Sequence, residues 1–228
     1  AGPKNGRNGR HPLPDRDALA ARLRGLGLRR GQMLVAYDGQ GGMYAARLWW
    51  LARWLGHDSV AVLDGGLPAW QAAGLPVSVE TPATPAPGDF AAGEPLTSTV
   101  DAATILGAIG STALCVIDAR AGERYRGETE PMDPVAGHIP GALNRPFAQN
   151  LRPDGRFKPA PVLRAEFAAL LAGRDPAGLV HQCGSGVTAC HNLLAMSVAQ
   201  LPAGALYPGS WSEWCADPAR PVARGEQP

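Results

Sequence analysis

One cysteine in this sequence stands where reactive thiols are built. In "LVHQCGSGVTACHNLLAM", residues 179–196, an apolar run ends at Cys183, a glycine-studded loop follows, and apolar periodicity then resumes. That pattern predicts a buried strand, a tight loop and the opening turn of a helix. Gly184 and Gly186 let the backbone curl, so that the amides of Gly184, Ser185, Gly186, Val187 and Thr188 turn inward. Inward amides joined to a helix N-terminus make an anion site. The loop has no lysine, so its anion need not be a nucleotide phosphate, and the natural occupant is the sulfur of Cys183 itself. Such surroundings lower a thiol pKa from about 8.5 into a range of roughly 3.5–7.5. A shift of about two units takes about 2.7 kcal/mol, whereas a helix dipole supplies roughly 0.3–1 kcal/mol, up to about 2 in favourable geometry. Direct amide donation must carry a large share. Thr188 is expected to cap the helix, its hydroxyl also reaching the sulfur.

The same cradle could hold a phosphate, as in cysteine phosphatases. Those need an arginine six positions after the cysteine, and here that position is Ala189. Sulfur chemistry is therefore the stronger reading of the loop.

The elements that must position Cys183 read as alternating strands and helices. "ALCVID", "GLVHQ" and "GALY" are apolar runs too short for helices, and they alternate with helices near 99–109, 161–172 and 186–199. Earlier in the chain, "DRDALAARLRGLG" predicts a helix capped by Asp15 and closed by Gly27. "MLVAY" and "VAVL" predict buried strands around a Trp-rich helix from Met43 to Leu55. This order implies an α/β fold with mostly parallel sheets covered by helices, whose ligands bind where strands end.

The chain also repeats itself. Asp38 falls opposite Cys183 at an offset of 183 − 38 = 145, and Trp70 falls opposite Trp214 at 214 − 70 = 144. "NGRHPLP" (8–14) and "DGRFKPA" (154–160) match at nearly the same spacing, and three anchors in step indicate a tandem duplication. Residues 1–75 are read as the C-terminal portion of a first domain, 76–97 as a Pro-rich extended linker and 98–228 as the second domain. Counterparts of Asp118 and His138 in the first copy would fall near 38 − 65 = −27 and 38 − 45 = −7, so that copy is expected to lack its N-terminal part.

Bulk composition narrows the function classes. A net charge of +1 over 228 residues points to neither nucleic acid nor a membrane surface. Cysteines at 115, 183, 190 and 215 show no C-x-x-C spacing, which argues against zinc and against a disulfide scaffold. A soluble protein of a reducing, cytoplasmic compartment is expected, with no metal or cofactor. Cys115 and Cys190 read as core, and Cys215 has no assigned role. His138 reads as structural, Asp118 as orienting the loop or capping a turn, and Trp211 and Trp214 as packing.

Taken together, "CGSGVTA", "GHIPGA", "VIDAR", "RYRGETEP" and "YPGSWSEW" resemble the two-domain rhodanese family of sulfurtransferases. The resemblance implies tandem rhodanese-like domains, with the catalytic cysteine, Cys183, in the second and Asp38 in its place in the first. It implies a cysteine that accepts a sulfane sulfur as a persulfide and passes it to an acceptor: thioredoxin, a low-molecular-weight thiol or cyanide. The neutral residues after the cysteine are similar to those of 3-mercaptopyruvate sulfurtransferases, whereas thiosulfate-using members carry basic residues there. The family's Ser–His–Asp relay implies roles for Ser185 and His11, its aspartate falling just before residue 1. Donor carboxylate binding implies two arginines. One matches Arg124; the second falls within "MDPVAGH", which has none, leaving Arg145 or Arg126 as substitutes. Gly184, Gly186, Val187 and Thr188 complete the expected donor site. Rival readings are thiosulfate as preferred donor, a non-catalytic interaction module of the same fold, and a peroxide sensor using Cys183 and Cys190.

Overall fold

In the computed structural model, which describes residues 1–83 and 85–228, each half of the chain builds a parallel sheet whose strand leads into a loop. The first half runs α1 (Arg16–Gly25), β1 (Leu34–Ala36), α2 (Ala45–Trp54), β2 (Val60–Val62) and α3 (Gly66–Ala72). Asp15 caps α1 as expected, its carboxylate accepting from the Ala18 amide at 2.8 Å. Strands β1 and β2 pair in parallel, Leu34 opposite Val60, around the Trp-rich α2.

The second half runs α4 (Ala102–Ala108), β3 (Cys115–Asp118), α5 (Gly122–Tyr125), β4 (Leu143–Asn144), α6 (Ala160–Leu171), β5 (Leu179–Gln182), α7 (Ala189–Val198), β6 (Ala205–Leu206) and α8 (Ser210–Trp214). Its four strands lie in the order β4-β3-β5-β6, all parallel. Every residue of β3 and β5 is buried, which requires cover on both faces of the sheet. One face packs on Ile105, Tyr207, Trp211 and Trp214. The other packs on Leu163 and Phe167 of α6 and Met196 of α7. Trp211 and Trp214 are therefore packing residues, and Cys115 is core, as read from the sequence.

The halves meet through α2 and α7. Ala46, Trp49 and Trp50 pack against Cys190, Leu193 and Leu194 in one apolar cluster that also contains Cys183. The loop bearing Cys183 is thus wedged where the two halves touch.

The two halves also carry the same local joint. The Leu67 amide donates to the Asp38 carbonyl and the Trp211 amide to the Cys183 carbonyl, each at 2.9 Å. One residue earlier, Gly66 (φ 58°) and Ser210 (φ 55°) both adopt the left-handed conformation. The 144-residue spacing of these pairs (211 − 67, 210 − 66) is the duplication written in backbone geometry.

Several elements differ from expectation. Residues 76–97, expected as an extended linker, contain no helix or strand among the described residues, and the later part of the segment, from Gly88 on, is tied to the first half. The amides of Gly88, Phe90, Gly93 and Leu96 donate to carbonyls of Arg24, Leu28, Leu55 and Arg53, and Phe90 is buried against α1. It is a strap laid back along the first half. Strand β4 and the short helices α3, α5 and α8 give too little periodicity to read from sequence. No helix among the described residues is long and apolar enough to cross a membrane.

Candidate active site

Cys183 follows the last residue of β5 and precedes α7 by a loop of five residues, 184–188. The strand is pinned at the centre of the sheet, so its end is the least mobile place to hang a reactive atom. The Ser185 amide points back to the Cys183 sulfur at 3.5 Å, and the Cys183 amide donates to Ser210 Oγ at 3.2 Å. Ser210 in turn donates to the Tyr207 carbonyl at 2.9 Å. Among the described residues, the amides of Gly184, Gly186, Val187 and Thr188 donate to no protein acceptor. Gly186 has φ 76°, and a Cβ there would run into the Pro208 carbonyl, so only glycine fits.

The first half shows what such a loop binds. Asp38, opposite Cys183 in the repeat, folds its own carboxylate into the equivalent loop and accepts from four amides. Gln40 and Gly42 donate to Oδ1 at 2.8 Å each, Tyr44 and Ala45 to Oδ2 at 2.9 Å each. Burial alone would raise this carboxyl, but the amides of Ala45, Gln40, Gly42 and Tyr44 outweigh it and hold its pKa below the ordinary value. The first-half loop is an anion nest filled by its own side chain.

His11 reaches the second-half loop from the first half. Its Nδ1 lies 2.8 Å from Ser185 Oγ, which brings together the two residues for which the family resemblance implies a relay. Burial, then the charges of Arg10, Lys4 and Arg47, hold the His11 pKa below its ordinary value, favouring a neutral ring. Arg47 was not anticipated. Its Nη1 donates to the Gly186 carbonyl at 2.8 Å, with the guanidinium stacked on Trp50. An arginine inside "AARLWW" looks like the solvated face of a helix, and only the approach of α2 to α7 gives it this role.

Arg124 also reaches the loop. A Cβ built on Gly184 would lie 3.5 Å from Arg124 Nη1 and Nη2. Arg124 is steered by Glu130, whose Oε1 accepts from Nη2 at 2.6 Å. Glu130 and Asp133 are both buried beside Arg124, and Asp133 belongs to "MDPVAGH", the stretch that looked merely deficient in arginine.

Other expected residues fall elsewhere. Thr188 does not cap α7 with its side chain: its backbone is already helical (φ −73°, ψ −14°), whereas a capping side chain folds back to the amides from extended backbone. Arg145 is buried against Phe167 and donates to Glu166 at 2.5 Å, and Arg126 pairs with Glu128 at the surface, so neither substitutes for the missing second arginine. Asp118 takes the Arg120 amide at 2.9 Å and its guanidinium at 2.6 Å, so it closes a turn and anchors an arginine. His138 fixes structure, with Nδ1 2.8 Å from the Tyr125 carbonyl and its ring stacked on Tyr125. Cys190 lies under the loop with Sγ donating to the Gly186 carbonyl at 3.4 Å, and burial pushes its thiol pKa up to about 11.

Comparison with known proteins places this arrangement. A family model described as rhodanese-like domain matches residues 4–73. The chain is 52% identical over 224 residues to a probable 3-mercaptopyruvate sulfurtransferase of Pseudomonas aeruginosa, spanning 98% of this chain and 78% of that relative. It is 37% identical to the thiosulfate sulfurtransferase of Bos taurus, over 94% of this chain and 74% of that one. The solved structure of Escherichia coli SseA, described with the rhodanese fold of 3-mercaptopyruvate sulfotransferases, superposes with a TM-score of 0.73. It is 33% identical and covers 87% of this chain and 74% of that one. With its paired parallel sheets, its repeated loops and these relatives, the chain belongs to the rhodanese family of sulfurtransferases.

Proposed function

We propose that Cys183 is the nucleophile and sulfur carrier, and that the preferred donor is 3-mercaptopyruvate. The Cys183 thiolate attacks the donor sulfur, the donor C–S bond breaks, and its electron pair leaves in the enolate of pyruvate. The sulfur stays on Cys183 as a persulfide. An acceptor thiolate or cyanide then attacks the outer sulfur, and the S–S electron pair returns to Cys183. The enolate needs a proton, and the donor's own thiol supplies it: neutral His11 takes that proton as the outer sulfur becomes anionic, and Ser185, hydrogen-bonded to His11, returns it to the enolate carbon. With thiosulfate the leaving group is sulfite, which needs no such proton.

The observation that carries this reading is the 2.8 Å contact between His11 Nδ1 and Ser185 Oγ, two residues beyond the cysteine. A proton route beside the sulfur fits an enolate leaving group better than a sulfite. The residues directly after Cys183, Gly184 and Ser185, are neutral, which supports the same choice. The unfilled amides of the loop support persulfide formation, because they can receive the anionic outer sulfur as the Asp38 loop receives a carboxylate. Cys183 is only 2% exposed, which favours small acceptors such as cyanide or a low-molecular-weight thiol over a protein thiol such as that of thioredoxin. The four cysteines are free, which fits a reducing compartment such as the cytoplasm.

The test is kcat/KM for 3-mercaptopyruvate and thiosulfate with cyanide as common acceptor. The expected ratio favours 3-mercaptopyruvate by at least about tenfold. A preference for thiosulfate overturns the donor assignment.

A further inference from the structure

The sequence leaves the donor site one arginine short, and neither candidate replacement faces the loop. A second guanidinium nevertheless reaches it, from the other half of the chain. A Cβ built on Gly184 would lie 2.8 Å from Arg10 Nη2, on the side where Arg124 stands at 3.5 Å. Two guanidinium groups thus converge on the backbone of the residue after Cys183.

Arg10 is built into the loop rather than draped over it. Its amide donates to Ser212 Oγ at 3.0 Å, and the Ser212 amide donates to the Gly184 carbonyl at 3.0 Å. The next residue is His11, so one short segment delivers both a cation and an imidazole to the cysteine loop.

Between the two arginines sits a carboxylate. Arg10 Nη1 pairs with Asp133 Oδ1, and Arg124 Nη2 lies 3.6 Å from Asp133 Oδ2. The Asp133 side chain is 4% exposed, yet its Oδ2 has no hydrogen-bond partner, and neither has the buried Arg10 Nε. Buried charges are ordinarily satisfied on all sides. Glu130, by contrast, is fully engaged: it holds Arg124 and accepts from the Met132 and Asp133 amides at 3.1 and 3.2 Å. Glu130 is therefore the fixed anchor of Arg124, and Asp133 the anion between two cations with one oxygen left without a hydrogen bond.

We propose that Arg10 and Arg124 together clamp the carboxylate of the sulfur donor, and that Asp133 is a resident placeholder which the donor's carboxylate replaces on Arg10. The inference rests on Cys183 being the sulfur carrier and adds which residues hold the donor. Guanidinium forks match carboxylates in two-point geometry, so the clamp selects donors that carry a carboxylate apart from the reacting sulfur. It also gives the first half a direct part in donor recognition. Asp133 weakens donor binding by competition while keeping two cations tolerable side by side in the empty site.

Steady-state kinetics with 3-mercaptopyruvate on Arg10→Met, Asp133→Asn and the double variant tests this, with Cys183→Ser as the control for the underlying reading. Arg10→Met is expected to raise KM about 10- to 100-fold with little change in kcat. Asp133→Asn, which keeps shape and removes charge, is expected to lower KM severalfold, and this advantage is expected to vanish in the double variant. Arg10→Lys is expected to recover only part of the affinity, because it restores charge without the fork. A merely structural pair would lower kcat and the melting temperature together in both single variants. An unchanged KM in Arg10→Met, or an unchanged or raised KM in Asp133→Asn, overturns the clamp. Persistent activity in Cys183→Ser overturns the reading beneath it instead, so the two failures are distinguishable.

Discussion

His11 and Ser185, 174 residues apart in sequence, lie 2.8 Å apart between Nδ1 and Oγ, so the proton relay proposed beside the cysteine draws on both halves of the chain. Neither half alone carries it. Apolar packing of α2 on α7 joins the halves beside this contact, and Arg47 of α2 donates to the Gly186 carbonyl at 2.8 Å.

The relay fixes the direction of a pH effect. Burial and the nearby cations hold the His11 pKa below 6.5, so the neutral ring that the proposed relay requires persists to lower pH than in a free histidine. Turnover of 3-mercaptopyruvate is expected to fall only as pH drops through that lowered value. A kcat profile whose acid limb lies at or above the ordinary histidine range contradicts this. His11→Ala is expected to remove the limb and to lower kcat by about 10²-fold, a usual size for lost acid–base assistance.

Asp38 offers a stability measurement. Its pKa is depressed, so its contribution is present above the ordinary carboxyl value of 3.8 and disappears as pH falls through the folded-state value. Asp38→Asn keeps the shape but turns one acceptor into a donor facing amides. A loss of about 1–3 kcal/mol is expected by urea unfolding at neutral pH, shrinking under acid. Equal stability at pH 7 contradicts the view of this loop as a filled anion nest.

Arg120 and Asp118 form a buried ion pair, 1% and 0% exposed, with the guanidinium over the Trp211 ring. Arg120→Met leaves the Asp118 carboxylate without its cation. The expected cost is about 3–5 kcal/mol in thermal or urea unfolding, because one charge of a buried pair is stranded. A change below about 1 kcal/mol would contradict the view that Arg120 is the cation on which this buried carboxylate depends.

Cys190 distinguishes sulfur transfer from peroxide sensing. Burial raises its thiol to about 11, so it is protonated at pH 8. Peptide mapping after peroxide treatment is expected to find no Cys183–Cys190 disulfide. Finding one supports the sensor and removes Cys190 from the core description.

Much of this was legible in the sequence because the decisive signals are local. The strand-loop-helix around Cys183, the Asp15 cap and the Asp38–Cys183 repeat all depend on short windows of glycine placement and apolar spacing. What escaped was set by tertiary approach. Arg10, Arg47 and Asp133 carry no local signature; they act only because α2 meets α7 and the N-terminal segment crosses the second-half loop. Thr188 misled because a threonine before an apolar run is a capping signal, and here the helix turn had already begun. Arg145 misled for a different reason: nearness in sequence to the arginine-free "MDPVAGH" says nothing of direction, and its side chain packs on Phe167.

The central claim is that Cys183 carries the transferred sulfur. Intact-mass spectrometry after a pulse of 3-mercaptopyruvate, followed by peptide mapping, tests it most directly. The expected result is one added sulfur, mapped to Cys183, absent in Cys183→Ser and removed by cyanide with matching release of thiocyanate. An unmodified Cys183 under turnover, or a sulfur found on Cys115, Cys190 or Cys215 instead, would contradict it.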